Sequence, residues 1–507
     1  MAIKRPYGAE QPYWPAGPFK IRLPFIHYRW EFPEMIQGLF MFVVSLAMIP
    51  LLEKYLGMPY EAALAFCVIA GVGYLLPALL GVPLVPGWIT PAIPVVSSNV
   101  SEGHHVTFTW PRVATATGYD VQYRVNGTAT WTTVATTFGS NDRSFTFEGA
   151  THTDTVEARV FSKNSAGTST AGSRSTTIPQ WASLSLENGW TDYGPPYATP
   201  SYTKTKAGVV LLRGLVKNAN PSLVPATLPA GYRPSNQIMF ISSSNQAIAR
   251  LDIKNDGRIE LPVGSPLWFA LDNIAFMPSE ASFTVMTPLT NGWVSYGVAN
   301  PQWERTGYTT DSAGRVHIRG LISGGTTADN TDIYTVPAAL RPSEYTHWVQ
   351  QNGNSVGAIG YNPATTSFVS KTGNGNGYVS MSIIYYPAAR VDGSDCTTAW
   401  CTLPLASGWV HYGSTFTTPR YTKGSDGMVQ MKGLIRAGTN ANITGTTSST
   451  SIPSAYCPKS RLIMTVLTAD TWGRVDVVPQ ADGTCFLQGS AYNTAWVSLD
   501  SIRYMAE

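Results

Sequence analysis

Hydrophobic and polar positions follow two different patterns along this chain of 507 residues. Residues 35–52 form an uncharged apolar run about long enough to cross a bilayer, and a longer apolar run interrupted by Pro and Gly follows at 62–96. Beyond them apolar and polar residues alternate, for example at 105–110 and 119–124. Such alternation is typical of strands that are buried on one face. We therefore predict an α-helical apolar segment at 1–97, followed by a mainly β chain of tandem β-sandwich domains.

The first alternating region resembles a fibronectin type III domain. Trp110 on an early strand, Tyr119 on the next strand and a late strand that begins at Val156 follow the spacing of that family. The resemblance covers residues 98–179 and implies a spacer or binding module. Val156 stands where the family usually carries Tyr, so the corner hydrogen bond of that Tyr is not expected.

An internal repeat occupies the rest of the chain and occurs three times. Each copy opens on Gly-Trp and Tyr-Gly, continues to a strand that ends in a basic residue, Gly and Leu, and passes a proline-flanked connector to a closing strand. The basic-Gly-Leu elements are Arg213-Gly214-Leu215, Arg319-Gly320-Leu321 and Lys432-Gly433-Leu434, and the closing strands are 268–276, 378–386 and 496–504. A spacing of about a hundred residues suits independent small domains. We predict three β-repeats, at 180–280, 281–390 and 391–507, stacked as a rod.

Tryptophans that recur between the copies are predicted to be structural. They are Trp190, Trp293 and Trp409 at the opening, and Trp268 and Trp496 on the closing strand.

Three further tryptophans have no counterpart in the other copies and lie near turn-rich sequence: Trp303, Trp348 and Trp472. An exposed indole in such a place can stack on a sugar ring or anchor a protein contact. We expect these three residues to bind a receptor; the alternative is that each caps its own sandwich.

The repeat openings and the basic-Gly-Leu elements resemble repeats of minor tail and fibre proteins of bacteriophages. The resemblance covers residues 185–507. It implies a location in the virion tail and a role in host attachment, through contacts with other tail proteins and with a glycan or protein of the host surface. Such fibres are commonly homotrimers, although the sequence has no heptad stretch that would indicate one.

The apolar segment resembles the N-terminal helices of bacterial permeases of the nucleobase (xanthine/uracil) type, on the residues LPFIHYRWEFPEMIQGLFMFVV at 23–44 and VPGWITPAIPVV at 85–96. A permease needs many more helices to build a binding site. We therefore expect an anchor or a docking element that contacts a membrane through 35–96, or else a stretch buried in a larger assembly. Two other functions remain open: a membrane-anchored adhesin of the bacterial cell surface, and a permease-derived membrane protein.

Composition narrows the range of functions. Charged residues make up only 13% of the chain and the net charge is +3, with no basic stripe, so no nucleic-acid partner is expected. No catalytic motif is found and the seven histidines are scattered, so we expect neither an enzyme nor a cofactor or metal site. Near the C-terminus, Cys396, Cys401, Cys457 and Cys485 lack a zinc-knuckle spacing, which leaves disulfides or free thiols.

Overall fold

The computed structural model describes residues 90–507, apart from 101–104, 149, 151–152, 219–223, 246, 372–373, 414, 437, 448, 470 and 490–494. The helical prediction for the apolar segment therefore lies almost entirely outside the described residues. Within them nearly all regular structure is β-strand, which confirms the mainly β fold class. No helix in this part of the chain is long and apolar enough to span a membrane. The described residues form two compact units, one ending at Ile178 and one containing 179–507.

The first unit is a fibronectin type III-like sandwich. A sheet of three strands has the order β1-β2-β6, and the opposite sheet is built on β3 and β7, with β4 and β5 beside β3 and with β8 and β9 beside β7. Its core contains Trp110, which packs against Tyr119 with ring centroids 5.6 Å apart. Val156 is fully buried. The strands are β1 Ser97–Val100, β2 Val106–Thr109, β3 Gly118–Val125, β4 Thr132–Thr133, β5 Phe138–Gly139, β6 Ser144–Phe147, β7 Thr155–Asn164, β8 Gly167–Thr168 and β9 Gly172–Thr177.

The second unit contains the three repeats, and each repeat is a sandwich of a four-stranded sheet and a larger sheet. Repeat 1 has β10 Ala182–Ser183, β11 Thr191–Asp192, β12 Ser201–Lys204, β13 Val210–Arg213, β14 Leu215–Lys217, β15 Ala226–Thr227, β16 Ile238–Ser244, β17 Ala247–Ile253, β18 Arg258–Val263, β19 Phe269–Ala270 and β20 Ala275–Phe276. Its sheets have the orders β10-β12-β13-β20 and β11-β14-β19-β16-β17-β18-β15.

Repeat 2 follows the same plan. Its strands are β21 Thr284–Val285, β22 Val294–Ser295, β23 Gly307–Thr310, β24 Val316–Arg319, β25 Leu321–Ser323, β26 Asp332–Thr335, β27 Thr346–Asn352, β28 Ser355–Asn362, β29 Ser367–Ser370, β30 Val379–Ser380 and β31 Ile383–Tyr385. The sheet orders are β21-β23-β24-β31 and β22-β25-β30-β27-β28-β29-β26. A one-turn helix, Tyr296–Ala299, follows β22, and a 3₁₀ turn lies at Ala338–Leu340.

Repeat 3 has a larger sheet of six strands in place of seven. Its strands are β32 Cys401–Thr402, β33 Val410–His411, β34 Arg420–Lys423, β35 Met428–Lys432, β36 Leu434–Arg436, β37 Leu462–Thr468, β38 Thr471–Pro479, β39 Cys485–Gly489, β40 Val497–Ser498 and β41 Arg503–Met505, with a 3₁₀ turn at Ser454–Tyr456. The sheet orders are β32-β34-β35-β41 and β33-β36-β40-β37-β38-β39. Two disulfides, Cys396–Cys401 and Cys457–Cys485, lie within this repeat.

The basic-Gly-Leu element is the corner at which the chain passes from one sheet of a repeat to the other. In repeat 1 it joins β13 of the small sheet to β14 of the large sheet. Gly214 has φ of +116°, and a Cβ there would lie 2.5 Å from the Pro200 Cα. Gly320 and Gly433 also have positive φ, of +95° and +127°, and a similar close approach of backbone. Only glycine meets both conditions, which explains its recurrence in the motif.

The closing strand of each repeat was predicted as one strand, and this is wrong, because it also breaks to change sheets. In repeat 1 the break separates β19 from β20, and in repeat 3 it separates β40 from β41. At the break, Asp272 Oδ1 accepts a hydrogen bond from the Gly214 amide at 2.8 Å, and Asp500 Oδ1 accepts one from Gly433 at 2.9 Å. These buried carboxylates tie the two corners of a repeat together.

Each repeat buries its own core. The recurring opening tryptophans Trp190, Trp293 and Trp409 are 4%, 2% and 3% exposed and belong to three separate apolar clusters. All three side chains therefore lie in the hydrophobic cores of their own repeats. The alternation of buried and outward side chains along the strands accounts for these cores.

The three repeats form a closed ring and not the predicted rod. The inner strands β16, β27 and β37 pack against one another in every pairing, so they surround a pseudo-threefold axis. Short parallel bridges join Gln237 to Trp303, Tyr345 to Phe416, and Tyr197 to Arg461. The bridges link repeat 1 to 2, repeat 2 to 3 and repeat 3 to 1, which closes the ring.

Candidate functional site at the repeat interfaces

The tryptophans predicted to bind a receptor are not on an open surface. Trp303 is 8% exposed and Trp348 is 2% exposed, so their predicted exposure is wrong; Trp472, on β38, is half-buried. Trp348 belongs to the core of repeat 2, where its ring lies 5.6 Å from that of Tyr385. A side chain packed in this way cannot stack on a sugar, because its faces are already covered.

Trp303 does have counterparts, and they are the aromatic residues of the bridges that close the ring. Tyr197 and Phe416 occupy the same place in repeats 1 and 3. Repeat 2 has three extra residues between its Tyr-Gly pair and this aromatic residue, in the segment that forms the one-turn helix Tyr296–Ala299. Allowing for this insertion in the sequence would have revealed the match.

A second aromatic position, at the start of each closing strand, also lies at an interface. It holds Trp268, Tyr378 and Trp496, and each is half-buried. Trp268 packs beside Tyr197 and against Ile463 of repeat 3. Trp268 and Trp496 were predicted to lie in the core of their own repeats, and this location is wrong. Both side chains pack between two repeats.

An arginine clamps the aromatic pair at the interface of repeats 1 and 2. Arg250 forms a two-point ion pair with Asp252, at 2.9 and 2.7 Å, and its Nη1 donates a hydrogen bond to the Tyr378 hydroxyl at 2.8 Å. Its guanidinium carbon lies 5.6 Å from the centre of the Trp303 ring and 5.5 Å from that of Tyr378. The carboxylate fixes the planar cation over the two rings, which combines cation–π contact with a directed hydrogen bond.

The interface of repeats 3 and 1 uses the same device. Arg474 pairs with Asp476 at 2.5 and 2.6 Å, lies 5.4 Å from the centre of the Trp268 ring, and donates to the Tyr197 hydroxyl at 3.4 Å. The Arg-x-Asp spacing on β17 and β38 is visible in the sequence. Its partners are not, because they come from another repeat.

The interface of repeats 2 and 3 lacks this clamp. Ala358 and Gly360 stand where the other repeats carry Arg and Asp. His347 faces the aromatic residues instead, with its ring 5.8 Å from Phe416 and 6.1 Å from Trp496. Burial, together with the charge of Lys371, lowers the pKa of the His347 imidazole to about 3.

Acid should therefore destabilise the ring through His347. In the unfolded chain a histidine titrates near pH ~6.5, whereas the folded imidazole stays neutral, so its contribution to stability is complete above that pH and is lost as the pH falls. We expect the free energy of unfolding of the wild type to fall by about 2 kcal/mol more than that of His347→Met between pH ~7.5 and pH ~5. Urea titrations at both pH values measure this difference.

Methionine is a suitable replacement for His347, because the equivalent positions of repeats 1 and 3 hold the apolar residues Met239 and Ile463. Burial raises the pKa of Asp272 and of Asp500 to about 6, against the effect of their backbone hydrogen bonds. Both carboxyls are present in the two proteins, so their contribution cancels in the comparison. Equal pH dependence of wild type and variant would contradict the assignment.

A buried ionic cluster joins the hairpin turns of the three repeats. The Arg315 side chain is fully buried between Asp311 of its own repeat, at 2.7 Å, and Asp426 of repeat 3, at 2.9 and 2.6 Å. His317 Nε2 lies 2.7 Å from Asp311 Oδ2, and the Thr205 hydroxyl of repeat 1 hydrogen-bonds to Asp426. Burial alone would raise the pKa of Asp311, but His317 and Arg315 outweigh it and lower that pKa to about 2. Both carboxylates are therefore ionised at neutral pH.

Within the described part of the chain no three His, Cys, Asp or Glu side chains are grouped as metal ligands would be.

No protein-family model matches the sequence, and no curated protein matches it. Among solved structures the chain is similar to the FN1–FN3 domains of chicken CNTN1, with 11% identity and a TM-score of 0.18, over 47% of this chain and 64% of that one. It is also similar to the twitchin kinase region from C. elegans, with 13% identity and a TM-score of 0.15, over 34% of this chain and 30% of that one. The chain thus spans less than two thirds of either structure. At such TM-scores the β-sandwich assignment rests on the strands and sheets themselves.

Proposed function

We propose that this chain is a structural and receptor-binding protein of a bacteriophage tail, a tail fibre or minor tail protein that mediates attachment to the host cell surface. The observation that supports the proposal is the closed ring of three repeats, held by matched aromatic contacts. A ring presents equivalent outer surfaces around one axis. Simultaneous contacts of this kind raise avidity for a surface that repeats the same glycan or protein.

The ring offers a better candidate contact surface than the buried tryptophans. Val294 on β22 and Val410 on β33 are 55% and 47% exposed, and both strands lie at the edge of their larger sheets. Thr191 on β11 is the counterpart in repeat 1 and is also exposed. An exposed apolar or hydroxyl side chain at the same edge of every repeat suits a weak contact that is repeated around the axis.

The homotrimer implied by the resemblance to phage fibres stays a prediction. Its usual advantage is to bring equivalent domains around an axis. Here one chain already does so with its own repeats, and we propose that a single copy can serve as a complete tip. Sedimentation of the full-length chain would measure the number of copies.

The test is fractionation of particles from the culture that produces the chain. After washing with carbonate and salt, mass spectrometry should find the chain in virions at a fixed copy number. Particles that carry Val294→Asp and Val410→Asp should assemble normally but adsorb more slowly to host cells, whereas Val298→Asp, an exposed valine of the one-turn helix, is the control. Recovery in membrane vesicles alone would refute the proposal and favour a membrane-anchored adhesin.

A further inference from the structure

A small cavity lies on the pseudo-threefold axis of the repeats. All three repeats contribute a polar residue from the break in the closing strand, namely Asn273, Ser382 and Ser501. These positions are equivalent, because each lies three residues before the one that pairs with Val210, Val316 or Val429. The cavity has a volume of about 20 Å³, enough for one water molecule or one monatomic ion.

Arg503 of β41 lines this cavity and is 6% exposed. Ala275 and Ile384 occupy the equivalent positions in the other repeats, so the cation is a feature of repeat 3 alone. Among the described residues no carboxylate forms an ion pair with Arg503, and its Nε is buried without a hydrogen-bond partner. Burial lowers its pKa to about 10, and the guanidinium stays charged at neutral pH. A buried cation without a counter-charge is costly, so this site calls for an anion.

Asp272 and Asp500 directly precede the cavity residues Asn273 and Ser501 in the sequence, and Glu507, near Arg503 in the sequence, is paired with Arg213. Asp272 accepts hydrogen bonds from the amides of Gly214 and Ile463, and Asp500 accepts them from Gly433 and His347. Both carboxylates thus face backbone amides. Neither of them is therefore paired with the Arg503 guanidinium.

Other groups around the cavity can donate hydrogen bonds. Ser501 Oγ accepts the Val349 amide hydrogen at 3.1 Å, which leaves its own proton free for a further acceptor. The Asn273 side-chain oxygen has no partner, and since the two ends of an amide group have the same shape, its nitrogen can equally face the cavity. A water molecule would satisfy these groups but would leave the charge unbalanced. A small anion satisfies both.

We propose that the cavity binds a single halide ion, chloride under physiological conditions, held by the Arg503 guanidinium with hydrogen bonds from Ser501 and Asn273. The ion completes the packing of the three repeats where they meet. A cavity volume of about 20 Å³ suits a monatomic anion.

Thermal unfolding of the full-length chain in sodium bromide and in sodium gluconate of equal ionic strength tests the proposal. A ligand that binds only the folded state raises the melting temperature, so the wild type should melt several degrees higher in bromide than in gluconate. In Arg503→Met this difference should disappear. Arg436→Met removes an exposed arginine of the same repeat and should keep the wild-type response. An equal response to bromide in the wild type and in Arg503→Met would overturn the proposal.

A second measurement does not depend on how well the variant folds. Crystals of the wild-type chain grown in bromide should show an anomalous scattering peak in the cavity beside Arg503. A cavity that contains only water under these conditions would refute the halide site.

Discussion

Replacing Arg315 with Met is expected to reduce the free energy of unfolding by about 3 to 5 kcal/mol. The substitution leaves Asp311 and Asp426 ionised in a buried place with no cation between them. Their mutual repulsion and their lost hydration oppose folding of the ring. Chemical denaturation of the wild type and the variant, followed by tryptophan fluorescence, measures the loss.

Two further variants isolate the cause. Arg258→Met removes an ion pair with Asp256 that is about half exposed, and should cost at most about 1 kcal/mol. The triple variant Asp311→Thr/Arg315→Met/Asp426→Ala also removes both acidic partners and should restore most of the stability. Its new side chains resemble those at the equivalent positions of the other repeats, such as Thr205 and Met428. If the triple variant were as unstable as Arg315→Met, lost packing and not unbalanced charge would be the cause.

The second large effect concerns the disulfide Cys457–Cys485. The two cysteines are separated by 28 positions in the sequence, so their bond closes a long loop and lowers the entropy of the unfolded chain. The double variant Cys457→Ala/Cys485→Ala removes this restriction and should destabilise the protein by about 3 to 4 kcal/mol. The disulfide ties the connector after Ile452 to β39, in the repeat whose larger sheet has six strands among the described residues, against seven in the other two. The bond therefore reinforces the short antiparallel bridge between Ile452 and Cys485.

The other disulfide is the matched control. Cys396–Cys401 has a sequence separation of only 5, so Cys396→Ala/Cys401→Ala should cost about 2 kcal/mol by the same relation. Urea titrations of both double variants give the two losses. A larger loss from the short loop would show that local packing, and not loop entropy, governs the contribution of these bonds.

The mainly β class and the three repeats could be predicted because they depend on local patterns. Alternation marks strands, and Trp190, Trp293 and Trp409 recur at one position because every copy needs the same core side chain there. The basic-Gly-Leu motif was visible, although its role was not. A corner between sheets is defined by the approach of Pro200 to Gly214, and these residues are not neighbours in the sequence.

The candidate site was predicted less well, because its residues face one another across repeat boundaries. Trp303 has no counterpart at the same spacing in the other copies, but its bridge to Gln237 makes it equivalent to Tyr197 and Phe416. Trp348 lies on a strand that is buried on both faces, one in its own core and one toward the axis. Burial of that kind removes the alternation from which exposure is inferred.

Local patterns in the sequence are sufficient to predict β-sandwich repeats with a common core, since strand periodicity and turn residues act within a few residues of one another. The closure of the repeats into a ring is seen in the three-dimensional fold alone. There Arg250 and Arg474 lie over aromatic residues of the next repeat, and Arg315 and Arg503 are buried near the axis. The reason is that these contacts join residues a hundred or more positions apart, as Arg250 and Tyr378 do. Their energies depend on burial and distance in space, and no local pattern carries that information.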